Sequence, residues 1–106
     1  MLVKQNALLC ILVTSTPENE NTRTLYKITE VALAMGHRVS IFLMDDGVYH
    51  VQRQKFRALG DLGAELFLCA ANALERGIKE IPGTVFGSQY DLAVMTAEAD
   101  GFLTLR

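Results

Sequence analysis

The chain has 106 residues and a mass of 11.7 kDa, the size of one domain, and two domains of half this length would each lack a stable core. Half of the residues are apolar and 21% are charged, which excludes a disordered chain. Ten basic and twelve acidic residues give a net charge of -2 without any basic run, which argues against nucleic acid as a partner.

The apolar fraction also bears on assembly and location. So short a chain has few polar residues to cover its surface, so we expect part of the apolar surface to face another subunit. The longest apolar run, residues 7–13, is much shorter than the roughly 20 residues that cross a bilayer, and no signal-peptide cleavage site follows it. We therefore expect a cytoplasmic protein with no membrane partner, whose two cysteines are thiols rather than a disulfide framework.

Short apolar runs alternate with helical patterns along the chain, which is typical of βαβ units around a parallel sheet. Residues 7–14 are apolar and bounded by polar residues, which predicts a first strand buried on both faces. After a polar loop, a helix is predicted with an apolar face from Leu25 to Met35, and Gly36 ends it. Residues 38–44 predict a second strand.

The second half of the chain repeats this alternation. Asp45, Asp46 and Gly47 end the second strand and begin a loop. The remaining predicted elements are a helix over residues 51–60, a strand over 64–69, a helix over 70–76, a short strand within 81–87, a helix over 90–99 and a strand over 101–105. Together they predict a single domain, residues 1–106, built as a three-layer α/β/α sandwich around a four- or five-stranded, mainly parallel sheet.

Cys69 is the sharpest candidate for chemistry, because ligands of such sheets bind beyond the carboxyl ends of the strands and Cys69 ends the third strand. A thiol there faces the first N–H groups of the following helix, those of Ala70, Ala71 and Asn72, and the positive end of its dipole. Both favour the nucleophilic thiolate. Cysteine is also among the most buried residue types, so a core role for Cys69 stays open.

The other cysteine has a different position. Cys10 lies inside the first strand, about four residues or roughly 13 Å before its carboxyl end. In parallel strands, that offset from Cys69 is beyond the reach of a disulfide. We therefore interpret Cys10 as a core residue.

The acidic pair at the end of the second strand allows two interpretations. Asp45 and Asp46 could hold a metal, but the sequence has no third acidic strand end, and a turn is favoured. Tyr49 and His50 follow and could hydrogen-bond a substrate or move a proton in the same crevice. His37 lies at the opposite end of the sheet, where we expect a structural role. We predict no metal site.

Residues 14–22 form a Ser/Thr-rich loop that weakly resembles the phosphate-binding loop of flavodoxins. An anionic ligand such as a flavin or nucleotide, held near Ser15 and Asp46, is therefore an alternative function. Against it, Pro17 removes an N–H donor and Glu18 would repel a phosphate. No dinucleotide or nucleotide-phosphate motif occurs, and we predict no cofactor.

Two segments carry a family resemblance that covers nearly the whole chain. Residues 34–50, AMGHRVSIFLMDDGVYH, and residues 64–78, AELFLCAANALERGI, resemble the DsrE/DsrF-like sulfur-relay family and within it the TusD and DsrE branch. The second segment is the more specific, since it places a cysteine at a strand-helix junction eight residues before a glycine.

The resemblance implies the α/β/α fold and a role for Cys69 as the sulfur-carrying cysteine. Similar proteins accept sulfane sulfur as a persulfide, pass it to a partner thiol in the manner of a sulfurtransferase, and assemble as trimers, hexamers or mixed complexes. Sulfur-donor and sulfur-acceptor proteins are the implied partners, and Ser15, Asp46, Tyr49, His50 and the Ala70–Ala71–Asn72 turn are candidate substrate contacts. One departure is Glu75, where the family pattern suggests a basic residue. A further alternative is an assembly subunit with an inert Cys69.

Overall fold

A computed structural model describes residues 6–106 and contains five strands in one sheet. The strands are β1 (Leu8–Val13), β2 (Arg38–Leu43), β3 (Glu65–Cys69), β4 (Thr84–Gly87) and β5 (Gly101–Leu105). The helices are α1 (Asn21–Ala34), α2 (Gln54–Asp61), α3 (Ala70–Glu75) and α4 (Gln89–Glu98). A 3₁₀ helix, Asp45–Gln52, follows β2 and is called the 3₁₀ segment below.

All neighbouring strands are parallel, in the order β4-β3-β2-β1-β5. This confirms the predicted α/β sheet and fixes the number of strands at five. The carboxyl ends of the strands line up across the sheet, with Val13 beside Leu43 and Cys69 beside Gly87. Residues that follow these ends therefore meet at one edge, called the carboxyl edge below.

The two faces of the sheet are packed differently. Side chains alternate between the faces, and one set packs with Leu25 of α1 and Phe56 of α2 in the main core. The opposite face carries the stacked rings of Phe42 and Phe67, whose centroids are 6.5 Å apart, and α4 packs over β1 and β4. No residue of α4 is fully buried, and Phe102 on β5 is 50% exposed. The second face is thus thinly covered.

Two local expectations need correction. The loop predicted after β2 is the 3₁₀ segment, and the helix predicted from residue 51 begins only at Gln54. Met35, expected on the buried face of α1, is the C-cap and is mostly exposed, because the core side of α1 is formed by Leu25 and Thr29. Gly36 adopts a positive φ of 86°, as its role in ending the helix requires.

Gly47 brings the 3₁₀ segment close to the end of β1. Its N–H donates to the Met44 carbonyl at 2.8 Å, and the Met44 N–H donates to the Val13 carbonyl at 2.9 Å. A Cβ at Gly47 would lie 2.2 Å from the Val13 carbonyl oxygen, which is backbone and has little freedom to move away. Only glycine fits this contact.

Among residues 6–106, no helix has the length and apolar character needed to cross a bilayer.

We expect Gly47→Ala to lower the free energy of unfolding by about 3 kcal/mol, because the added methyl group overlaps the Val13 carbonyl. Urea unfolding followed by circular dichroism measures the change. Gly101→Ala is the matched control, since a Cβ there meets the Leu9 side chain at an ordinary 3.5 Å. Equal stability of the two variants would contradict the tight contact at Gly47.

Candidate functional site

Cys69 is the last residue of β3 and lies at the carboxyl edge. It follows Phe67 by two residues, so by alternation its side chain is on the second, thinly covered face of the sheet. The neighbouring position on β4 is Gly87, which places no side chain beside the thiol. Cys69 is 6% exposed, which leaves it nearly enclosed but closer to solvent than Cys10, which is 0% exposed.

Helix α3 begins directly after the cysteine. Cys69 is its N-cap residue, with extended backbone at φ -65° and ψ 117°. The N–H groups of Ala70, Ala71 and Asn72 occupy the first turn, where no helical carbonyl precedes them as an acceptor. The structure therefore has the predicted strand-helix junction. α3 is only six residues long, however, so its dipole is small.

Polar residues of the 3₁₀ segment and of α3 meet beside this junction. Asp45 has a positive φ of 50°, unusual for a residue other than glycine, and its N–H donates to Oδ1 of Asn72 at 2.8 Å. Arg76 donates from Nε to Oδ1 of Asp46 at 3.0 Å and from a terminal nitrogen to the Asn72 carbonyl at 3.2 Å. Glu75 accepts from Nδ2 of Asn72 at 3.2 Å. We call these five residues the edge cluster.

The charge of Arg76 is held in place by its partners. The hydrogen bond to Asp46 is the main cause that raises the pKa of the guanidinium above its usual value, and the charges of Asp46 and Glu75 add to it. Arg76 is therefore a permanent cation. Its side chain is 23% exposed, whereas Asp46 is 55% exposed and Glu75 is 68% exposed.

His50 is fully buried and so does not line an open crevice, contrary to the position expected for a substrate contact. Its Nε2 lies 3.1 Å from the Ser15 carbonyl, which can only accept, so we assign the ring proton to Nε2. The ring also packs against Phe56, with centroids 5.7 Å apart. Burial is the main cause that lowers the pKa of His50, and the charge of Arg53 lowers it further. His50 therefore joins the Ser15 loop to the 3₁₀ segment as a neutral ring.

Tyr49 is half-buried and lines a cleft with residues 16–18, Gln52 and Arg53. An Arg53 side-chain nitrogen lies 3.7 Å from the Glu18 carboxylate, so the cation of this cleft already faces an anion. The loop proposed to bind an anionic ligand thus presents a carboxylate rather than a free positive charge.

The remaining candidates lie away from Cys69. Cys10 is buried in β1, and burial raises the pKa of its thiol. Both cysteines are free thiols. Nδ1 of His37 accepts from the Ala7 N–H at 3.1 Å at the opposite edge of the sheet. Within residues 6–106, no group of three or more histidine, cysteine or acidic side chains could hold a metal ion. Asp45 contributes its backbone N–H to the edge cluster, and Asp46 contributes its carboxylate.

The structure brings Cys69, Asn72 and Asp46 to one edge, as the sequence suggested, and adds Arg76, which sequence reasoning missed as a site residue. A usable signal was present: Asn72 and Arg76 are four residues apart and so share one face of α3, toward the acidic pair that ends β2.

A parallel five-stranded α/β domain with a cysteine at a strand-helix junction defines the class of this protein. The chain belongs to the DsrE/DsrF-like family, whose sequence model matches residues 7–105. The family is associated with sulfur relay that involves partner proteins.

Two further comparisons agree in extent. The uncharacterized protein MJ0989 of Methanocaldococcus jannaschii is 26% identical over 109 aligned positions, which cover 89% of this chain and 96% of that protein. The crystal structure of the ychN protein from E. coli has a TM-score of 0.73 and 22% identity, and covers 93% of this chain and 99% of the other. This second likeness supports the fold.

We expect the stability of the protein to fall as the pH drops below 6.5, the usual pKa of histidine, because the folded state keeps His50 neutral while the unfolded chain binds a proton there. Above that pH, the contribution of neutral His50 to the free energy of unfolding is fully present. Urea midpoints at about pH 7.5 and about pH 5.5 test this in the wild type and in His50→Gln, which does not titrate. All other side chains, His37 included, are common to both proteins, so the difference between the two pH dependences comes from His50. The same pH dependence in both would contradict the buried neutral ring.

Proposed function

We propose that this protein is a sulfur-relay carrier in which Cys69 holds sulfane sulfur as a persulfide and passes it to a thiol of a partner protein. The observation that carries the proposal is the place of Cys69 at the carboxyl edge, in a member of a family associated with sulfur relay. Cys10 does not lie at this edge: it is in the middle of an inner strand and has no exposed surface.

The transfer consists of two displacements at sulfur. The Cys69 thiolate attacks the outer sulfur of a donor persulfide, a new S–S bond forms, the donor S–S bond breaks, and the donor leaves as a thiolate. The acceptor thiolate then attacks the outer sulfur on Cys69, and Cys69 leaves as a thiolate. Each step conserves electrons, so no outside oxidant or reductant is needed. The N–H groups of Ala70, Ala71 and Asn72 lie in the turn that follows Cys69, and we propose them as donors to the anionic sulfur.

The geometry also supports transfer to another molecule rather than to the second cysteine. Cys10 pairs with Ser40, which pairs with Glu65, so Cys10 is level with the start of β3. Cys69 lies four residues further along, a distance of about 13 Å, in addition to two strand spacings. A disulfide requires Cα atoms within about 7 Å. An internal disulfide between the two thiols would therefore need the sheet to open.

We expect the wild type to gain the mass of one sulfur atom after incubation with a low-molecular-weight persulfide donor, because Cys69 is the thiol at the protein edge. Intact-protein mass spectrometry measures the gain. Cys69→Ala should lose it and Cys10→Ala should keep it. Equal loading of the two variants would contradict the assignment.

The alternatives predict other outcomes of the same preparation. A flavin- or nucleotide-binding module would show a thermal shift with FMN and none with a persulfide donor. An assembly subunit with an inert cysteine would leave Cys69 unloaded and unreactive toward iodoacetamide until the protein unfolds.

We further propose that this protein acts in the cytoplasm, where thiols stay reduced. We also propose that copies of the chain assemble as a trimer or hexamer. Support comes from the second sheet face, since parallel sheets are normally covered on both sides. Here Phe102 and Val85 are each 50% exposed on that face.

We expect native mass spectrometry to find a trimer or hexamer for the wild type and smaller species for Phe102→Glu. The reason is that burying an unpaired carboxylate in an interface between subunits costs free energy. Leu62→Glu is the matched control: Leu62 is 60% exposed and follows α2 on the other side of the sheet. A monomeric wild type, or equal effects of the two substitutions, would contradict assembly through this face.

A further inference from the structure

Helix α3, which begins at the proposed sulfur carrier, has little apolar anchorage of its own. It has six residues, far fewer than the roughly 12 that an isolated helix needs for even marginal stability. Ala73 is its one buried residue. Leu74 is 71% exposed and contributes almost nothing to the core. Ile78, which follows the helix, is buried in the main core, and its N–H donates to the Ala73 carbonyl at 2.9 Å. The position of α3 therefore depends on polar contacts as well as on these two core residues.

Two of those contacts join α3 to the 3₁₀ segment. One is the hydrogen bond from the Asp45 N–H to the Asn72 side chain, and the other is the ion pair between Arg76 and Asp46. Arg76 also donates to the Asn72 carbonyl at 3.2 Å, one helical turn earlier, so a single guanidinium holds both elements.

The Arg76 pair differs from the ordinary surface pair of this protein. Its nitrogen-oxygen distance is 3.0 Å, and the arginine is 23% exposed while Asp46 is 55% exposed, so water competes less for the contact on the arginine side. The pair between Arg38 and Glu65 has a distance of 3.8 Å, and both side chains are more than half exposed. Pairs of that exposed kind contribute little to stability.

We propose that Arg76 is a positioning residue for Cys69: through Asp46 and Asn72 it holds α3 against the 3₁₀ segment and so keeps the thiol nearly enclosed. Cys69 is the N-cap of α3, so its backbone takes part in any movement of this short helix away from Asp46. The enclosure of Cys69 is independent of what the protein does. Only its importance for sulfur transfer rests on the proposed function.

The test is the rate of Cys69 alkylation by iodoacetamide in the folded protein, read by mass spectrometry on a Cys10→Ala background. Arg76→Gln is expected to raise the rate about five-fold, the effect of losing an ion pair at the upper end of the usual range. Asp46→Asn should do the same, and the double variant should add no further increase, because both changes remove one shared contact. Arg76→Lys should alkylate more slowly than Arg76→Gln and faster than the wild type. Lysine keeps the charge, but it lacks the planar guanidinium that donates to Asp46 and to the Asn72 carbonyl at once.

Arg38→Gln is the matched control, because it removes an ion pair at the other end of β3. It should leave the alkylation rate unchanged. An unchanged rate in Arg76→Gln, an equal increase in Arg38→Gln, or fully additive effects of Asp46→Asn and Arg76→Gln would each overturn the proposal. The urea midpoint separates a local change from global loosening, because alkylation through global unfolding would follow the loss of stability in each variant. A faster rate in Arg76→Gln at a midpoint equal to that of Arg38→Gln supports the proposal, whereas a midpoint that falls in Arg76→Gln in proportion to its rate would overturn it.

A second measurement separates this proposal from the sulfur-relay function. The loaded wild type should keep its added sulfur in the presence of glutathione longer than loaded Arg76→Gln, because a glutathione thiolate reaches the outer sulfur more easily in the variant. If the wild type never loads, the sulfur-relay proposal fails, and the alkylation rates still decide the role of Arg76.

Discussion

The approach of Gly47 to the Val13 carbonyl determines where the functional groups of this protein lie. Because Gly47 has no side chain to collide with the Val13 carbonyl, the chain that leaves β2 can turn over the end of β1. This turn places Asp45 in its left-handed conformation beside Asn72 and directs Asp46 toward Arg76. Further along, the same segment brings His50 to the Ser15 carbonyl. One backbone contact thus connects the end of β1 to the edge cluster.

The unequal covering of the two sheet faces bears on the same edge. The first face is closed by α1 and α2, with Leu25 and Phe56 fully buried. Among the described helices, α4 packs on the second face, and by alternation it is the face that carries Cys69. A protein that packs on this face beside the end of β3 would therefore lie next to the thiol. The proposed assembly and the proposed chemistry of Cys69 thus involve the same face of the sheet.

The sequence was informative wherever structure is local. Four of the strands follow from short apolar runs, whereas the sequence of residues 81–87, with Pro82 and two glycines, predicts a short strand at most. The place of Cys69 follows from a strand-helix junction that occupies adjacent residues. The 3₁₀ segment could not be predicted in this way, because its shape depends on partners 27 residues away at Asn72 and 35 residues away at Ser15.

The two residues whose roles differ from expectation show the same limit. The position of His50 after the end of the second strand predicts a side chain in the crevice that can hydrogen-bond a substrate or move a proton. The Ser15 carbonyl and the Phe56 ring instead provide a buried environment that no local pattern reveals. Arg76 has the sequence pattern of a solvated helix end, and its partner Asp46 lies 30 residues earlier in the chain. In both cases, the meaning of a polar side chain depends on a contact distant in sequence.

The two thiols show how position along a strand decides chemistry in a parallel sheet. Cys10 is surrounded by neighbouring strands on both sides, and burial raises the pKa of its thiol, so the reactive thiolate is suppressed. Cys69 is at the end of its strand, where the backbone changes to helix and N–H groups become available. The rigid register of the sheet keeps the two apart. The sulfur atom proposed at Cys69 therefore has no second thiol within reach in the described part of its own chain, which supports a partner molecule as its proposed destination.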